Sequence, residues 1–460
     1  MAPSNKDPYQ LSVQDRFAPD RQITLCLTKT GLTMHKLTVK SGQFPARDVL
    51  CAPELSSRIK AEGRRFMNQI VGRYSNRLPA GNSCLVDSAR EMEKPIELNL
   101  EENDRGNCLH SGSNGYDLRE FTPVDEDSLI VYELGSVSPG IDDDNEFVSL
   151  AYFHLHSPAG DQGFPEAIDI LATVGLELFP VPQGPDDQSI PSKTGPKNRI
   201  GRASFSLKAK LSDPEEVARR GGGTPINLTW HTGYILNDFK GHPSDLDGIH
   251  QHKLWIKSDH HLALHESQLP TGEIRPNKVL GIDFSTGNPF SEEEIKPISE
   301  IMPESGLGPI SEIMPETGLD HCFLFRSSNG KGGDSLKDPK AIMRSPKDDL
   351  VLSFYTNQTA VQCYSANYFD GLGSRKDLHR RSSGEPQGGY KKQEAIYLEF
   401  QGPSSLCTNV ALQKNLKLLI NDEDHQHLEQ GDTSQTTATS NTFLYPNQVY
   451  SNWFFIDIFV

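Results

Sequence analysis

The feature that most constrains this chain is a period of two. "ASFSLKAKL" sets Ala203, Phe205, Leu207, Ala209 and Leu211 on one side, and "IDILATVGLELF" does the same with Ile168, Ile170, Ala172, Val174, Leu176 and Leu178. Such alternation belongs to strands with one face on a core. The runs "ITLCLT" (23–28), "SLIVYEL" (128–134), "EFVSLAYFHLH" (146–156), "LWIKSD" (254–259), "VLSFYT" (351–356), "AIYLEF" (395–400) and "WFFIDIFV" (453–460) also read as strands. Helical spacing is confined to "SDPEEVARR" (212–220) and "LSSRIKAEGRRF" (55–66). Many strands with almost no helices to cover them must cover each other, so an antiparallel sandwich or barrel-like sheet follows.

Between the strands lie segments rich in Gly, Pro, Ser and charge and poor in anything that packs, at 181–202, 326–349, 371–393 and 421–442. They read as loops. A further insertion at 291–319 contains most of a duplication, "PISEIMPESGLG" (297–308) followed by "PISEIMPETGLD" (309–320). Two copies of twelve residues are too few and too short for a solenoid and read as a lengthened surface loop. Strands resume on both sides of every insertion, so the expected organisation is a polar N-terminal segment, 1–20, and one all-β domain over 21–460.

The 45 basic and 62 acidic residues leave a formal charge of −17. That balance repels phosphate backbones and anionic lipid, so neither nucleic acid nor a membrane is an expected partner. The seven cysteines are scattered without a CxxC pair, which points to neither a disulfide framework nor a zinc knuckle. The polar start, without an apolar signal core, and the lack of a membrane-length apolar run make a cytoplasmic location the expectation.

Six segments carry more polar side chains than strands and turns require: "QIVGRYSNRLPAG" (69–81), "NCLHSGSNGYDL" (107–118), "TPINLTWHTGYILND" (224–238), "GLDHCF" (318–323), "TAVQCYSANYFDG" (359–371) and "IYLEFQ" (396–401). Each alone could be a turn or a loop. The pairs His154/His156 and His250/His252, read as strand neighbours, would point two imidazoles to one side, and His260 and His261 add density. No closed set with cysteine or acidic partners accompanies them, and no metal is expected. Arg64, Arg65, Arg73 and Arg77 could supply cations for a phosphate.

Taken together and in order, these segments resemble the aldose 1-epimerase (galactose mutarotase) family from about residue 60 onward. The resemblance rests on "RYSNRL" with Asn76 and Arg77, "NCLHSGSNGYD" with His110, "TPINLTWH" with His231, "GLDH" with Asp320, "VQCYSANYFDG" with Gln362 and "LEFQ" with Glu399. "LPTGEI" (269–274) and the closing "PNQVYSNWFF" are similar too. The resemblance implies a large antiparallel β-sandwich of the galactose mutarotase supersandwich type. It also implies interconversion of the α and β anomers of a free hexose such as galactose or glucose, with no cofactor and a small-molecule aldose as the substrate. Glu399 would take the proton of the C1 hydroxyl and His231 would protonate the ring oxygen. Asn76, Arg77, His110, Asp320 and Gln362 would hold the sugar or orient that pair. Ring opening needs one proton removed and one delivered, and one placed acid or base contributes about 10²–10⁴ in rate. Glu399 is expected ionised, His231 protonated, and the two on opposite edges of the sugar.

The sequence departs from the family pattern at Trp230 (Asn in the pattern), Ser111 (Gly), Ser365-Ala366 (Thr-Gly) and Phe400 (Thr). None removes an acid or base, and Trp230 is expected in the core rather than against a sugar. Two alternatives stay open. One is a non-catalytic carbohydrate-binding protein on the same fold, and the other is a mutarotase acting on a hexose 6-phosphate.

Overall fold

A computed structural model of the protein describes residues 8–42, 44–54, 64–85, 96–135, 138–142, 144–179, 198–239, 248–282, 284, 318–326, 336–380, 388–423 and 442–460. Two large sheets dominate. The eight-stranded sheet runs in the order Thr122–Val124, Val148–Ser157, Ile168–Leu178, Arg199–Leu211, Tyr450–Phe459, Val351–Thr356, Ala341–Arg344, Lys253–Ile256. The six-stranded sheet runs Thr232–Tyr234, Ile396–Gln401, Ala360–Tyr364, Asp320–Phe325, Ser258–Leu264, Pro270–Pro276. Ladders within both are antiparallel. The expected large antiparallel β-sandwich is the fold found.

Register turns the period of two into a core. Val174 lies opposite Phe205 and Ala172 opposite Leu207, so each inward residue meets another inward residue. On the adjacent strand Phe454, directly opposite Phe205, stacks on it at 4.8 Å and meets Phe400 of the six-stranded sheet at 5.3 Å. Phe354 and Tyr234 bridge the two sheets at 5.0 Å. Truncating a buried ring costs about 3–5 kcal/mol, against about 1 kcal/mol for favourable ring geometry, so filled volume decides the stability here. Trp230 belongs to this core as expected, its Nε1–H donating to the Leu32 carbonyl at 3.3 Å.

Several elements differ from the sequence reading. The polar segment 1–20 contains a strand, Tyr9–Gln14, which opens a four-stranded sheet and sends Leu11 and Val13 into the main core. Its short alternation is drowned by polar neighbours. "SLIVYEL" forms a helical turn, Leu129–Leu134, which buries Val131 and Leu134 three residues apart and ends at Gly135 with φ 84°. A run of four apolar residues carries no period by which strand and helix can be told apart. The helix Val410–Glu423 is not anticipated either. Asn409 caps it by accepting from the Leu412 N–H at 2.9 Å, and Leu412, Leu416 and Leu419 pack on Leu262, Cys322 and Leu324.

"SDPEEVARR" forms the expected short helix, Pro214–Arg219, with Asp213 capping the Glu216 N–H. Most of "LSSRIKAEGRRF", of the duplication, and of the insertions near 181–202, 291–319 and 421–442 lies outside the described residues. Among the described residues no helix is long and apolar enough to cross a membrane.

Candidate active site

The strand Ile396–Gln401 divides its residues between two worlds. Ile396, Leu398 and Phe400 face the sandwich core, which turns Tyr397, Glu399 and Gln401 to the other side of the sheet. Register then gathers partners for Glu399. Gln362 stands directly opposite it, Cys322 opposite Gln362, and Asp320 two residues before Cys322 on the same face. The Gln362 Nε2–H₂ donates to Asp320 Oδ1 at 2.6 Å.

His231 arrives at a junction. Thr229 and Trp230 pair with Val71 and Ile70, whereas Thr232–Tyr234 pair with the strand carrying Glu399. Thr232 lies opposite Leu398, so one further step of that register sets His231 opposite Glu399. The backbone is pinned on both sides: the His231 N–H donates to the Gln69 carbonyl and the Asn68 N–H to the His231 carbonyl, each at 2.9 Å. The ring follows, and His231 Nε2 lies 3.2 Å from Glu399 Oε1.

The opposite wall is built on left-handed backbone. Asn76, His110 and Ser111 have φ of 62°, 49° and 68°. Such values favour Gly at Ser111, in line with the family pattern. The serine compensates by accepting from the Tyr74 N–H at 2.7 Å. The Asn76 N–H donates to His110 Nδ1 at 3.1 Å, and the His110 N–H returns to the Asn76 carbonyl at 3.0 Å. With Nδ1 accepting, the neutral His110 ring carries its proton on Nε2. Arg77 is held by Asp104, Nε to Oδ2 at 2.6 Å.

These elements enclose a cavity of about 330 Å³, within the range that takes small ligands. Asn76, Arg77, His110, His231, Asp320, Gln362 and Glu399, the seven residues singled out in the sequence, all line it. So do Phe66, Tyr364, Tyr368 and Phe369, which sequence reasoning did not select. Three of these stand in "YSANYFDG", where the aromatic density was the available signal.

Electrostatics reverses one expectation. Burial pushes Glu399 well above the usual carboxylate range, with the Asp320 charge adding to the rise and Arg77 opposing it. Burial pulls His231 down to about 4, against the weaker favourable pull of its own carbonyl and that of Phe66. Burial thus favours the neutral form of each group over a carboxylate beside an imidazolium, because two desolvated charges cost more than their attraction returns. His110 is held well below its ordinary value, and Asp320 above its own, again chiefly by burial. Glu399 Oε2 and His231 Nδ1 are buried without a hydrogen-bond partner in the protein.

His110, His231 and Glu399 present donor atoms within 4.8 Å of one another, but the N–H on His110 Nε2 is a donor for an oxygen rather than a lone pair for an ion. The other histidine pairs are spent elsewhere. His154 Nε2 and His156 Nδ1 both bond Asp169 Oδ1, at 3.0 and 2.9 Å. Residues 250–252 form a turn rather than a strand, with His252 buried and accepting from the Leu236 N–H.

Known proteins bear on this arrangement. Residues 203–411 match a family model described as aldose 1-epimerase. The galactose mutarotase of Mus musculus is 24% identical over 353 residues, covering 76% of this chain and 76% of that protein. The aldose 1-epimerase of Escherichia coli strain K12 is 26% identical over 377 residues, covering 82% and 83%. Two solved structures share the fold with TM-scores of 0.59 and 16% identity. One is a GalM/aldose epimerase homologue from C. elegans, covering 98% of both chains. The other is galactose 1-epimerase from Lactobacillus acidophilus, covering 99% of this chain and 95% of that one.

Proposed function

We propose that this chain, similar to the aldose 1-epimerase family over residues 203–411 and to galactose mutarotases and aldose 1-epimerases along most of its length, is a mutarotase opening and reclosing the ring of a free hexose. The observation that carries the reading is the 3.2 Å separation of His231 Nε2 and Glu399 Oε1 at the wall of the cavity. The C1 hydroxyl and the ring oxygen are bonded to one carbon. An acid and a base a hydrogen bond apart can reach both, side by side rather than across the sugar.

The pair holds one proton in either tautomer, as acid beside imidazole or as carboxylate beside imidazolium. In the proposed opening step Glu399 takes the C1 hydroxyl proton as the C1–ring-oxygen bond breaks, and His231 gives its proton to the ring oxygen. The products are an open-chain aldehyde, a neutral carboxyl and a neutral imidazole. Opening therefore ends in the tautomer that burial favours, and the Arg77 charge supports the ionised one that starts it. Rotation about C1–C2 and the same transfers in reverse deliver the other anomer. The His110 Nε2–H, Asn76 and Arg77 offer donors to the sugar hydroxyls, and Asp320, steadied by Gln362, offers an acceptor.

The arginines favour a neutral sugar over a phosphorylated one. Each arginine at the cavity already faces a carboxylate: Arg64 with Asp117 at 2.6 Å, Arg65 with Asp370 at 3.0 Å and Arg77 with Asp104 at 2.6 Å. Arg73 is buried outside it, bonded to Ser157 and Thr224. Polarimetry on freshly dissolved α-galactose, α-glucose and glucose 6-phosphate tests the assignment. Acceleration is expected on the free hexoses and little on the phosphate. A decay at the buffer rate on all three sugars leaves a carbohydrate-binding protein instead.

A further inference from the structure

We infer that Phe66 is a positioning residue for the acid/base pair, its ring roofing the His110 and His231 imidazoles so that each keeps one orientation and water stays off the side of His231 away from Glu399. This rests on the roles proposed above for His231 and Glu399. Phe66 packs edge-on to His110 at 4.5 Å between ring centroids and tilted against His231 at 6.0 Å. The Arg64 guanidinium sits 4.8 Å over the Phe66 ring and is itself fixed by two 2.6 Å bonds to Asp117. Two and three residues on, Asn68 and Gln69 hold the His231 backbone on both sides. One short segment thus fixes both main chain and ring of the proposed acid.

The backbone supports a role for the side chain. Phe66 has φ 53°, a conformation that costs a bulky residue and costs glycine nothing. A glycine would satisfy the turn, so the phenyl ring offsets strain through what it touches. The other groups facing His231 are Glu399 at 3.2 Å, the Tyr397 ring at 4.9 Å and His110 at 5.4 Å. Asp320 and Arg77 act on the pair through Glu399, and Arg64 lies behind the Phe66 ring. Among these contacts Phe66 is the apolar cover. Its removal lets water reach the imidazole and relaxes the burial that holds His231 near 4.

The test compares wild type, Phe66→Leu and Phe66→Gly by two independent readouts, the pH dependence of kcat and KM on α-galactose and the NMR titration of the His231 ring without sugar. In Phe66→Gly the His231 titration is expected to rise by at least one unit, and the acid limb of kcat to rise with it. At pH 5 that costs about twofold more turnover than at pH 7, with KM nearly unchanged. Phe66→Leu, which keeps apolar bulk, is expected to recover most of the wild-type profile. Glycine relieves the strained φ, so the thermal midpoint should hold or rise, whereas a purely structural role predicts full activity. An unmoved His231 titration, or a loss confined to KM, overturns the inference. A wild type without mutarotase activity sinks the reaction reading instead, and the NMR titration still decides what Phe66 does to His231.

Discussion

Two buried acid/base pairs in this molecule are built to opposite specifications. Asp48 and Lys376 meet at 2.7 Å with both side chains fully buried, and neither has a buried polar atom left without a partner. Asp48 Oδ1 accepts from the Leu37 and Leu50 N–H groups, and Lys376 Nζ also donates to the Leu50 carbonyl at 2.7 Å. Glu399 and His231 are almost as deeply placed, yet Oε2 of one and Nδ1 of the other have no partner in the protein. The first pair ties the 376–380 segment, with His379 bonded to the Asp48 carbonyl and the Tyr390 hydroxyl, to the strand Phe44–Asp48. The second borders a cavity. A finished network specifies structure, and one left open beside space leaves bonding capacity for something that enters it.

The sharpest way to break the contrast is Glu399→Gln. The amide keeps the shape and removes the proton exchange, so turnover should fall by about 10²–10⁴-fold. Thermal stability should hold or rise slightly, since a carboxyl held high by burial is gone. Polarimetry and a thermal scan on the same sample check both. Near-normal turnover would take the base role away from Glu399.

Lys376→Met asks the complementary question and should show the inverse pattern. Removing one partner strands the Asp48 charge in the interior, which costs about 3–5 kcal/mol. The two backbone N–H groups on Oδ1 place the expected loss toward the lower end of that range. Turnover of the protein that remains folded should be unchanged, because Lys376 does not line the cavity. Denaturant titration with the activity assay separates the two effects. A large loss of turnover without loss of stability would mean that the pairs are coupled.

What the sequence disclosed follows the same division between what repeats and what depends on depth. Alternation in "IYLEFQ" was enough to place Glu399 on the side opposite Phe400, and antiparallel register carried Gln362 and Asp320 to it. Left-handed positions at Asn76 and His110 were legible only as motif residues, since a single φ leaves no period. Phe66, Tyr364 and Tyr368 stayed hidden because an aromatic that roofs a cavity reads like one that fills a core, as Trp230 does. The charge expected on His231 departs from its surroundings for a related reason. Opposite charges are visible in a sequence, but the desolvation that outweighs them is a property of depth.

The smallest effect per residue separates the pairs by pH. Burial holds His35, His231, His261 and His379 near 4 and His252 and His321 near 3. Unfolded, each would bind a proton below about 6.5. As pH falls through that value the unfolded chain protonates first, so stability is fully present above about 6.5 and is lost as pH drops toward 4. Each group contributes up to about 1.4 kcal/mol per pH unit. Glu399 and Asp320, raised in the fold, act with the opposite sign: the folded state takes up their protons as pH falls through the raised values, which offsets part of the loss until the unfolded carboxylates titrate at about 4. Denaturant midpoints between pH 7 and 5 should therefore fall steeply. His379→Gln should flatten that slope by about one proton's worth while turnover stays intact, and His231→Asn should flatten it equally and abolish turnover. A slope untouched by either substitution would show that these imidazoles are not held neutral by burial.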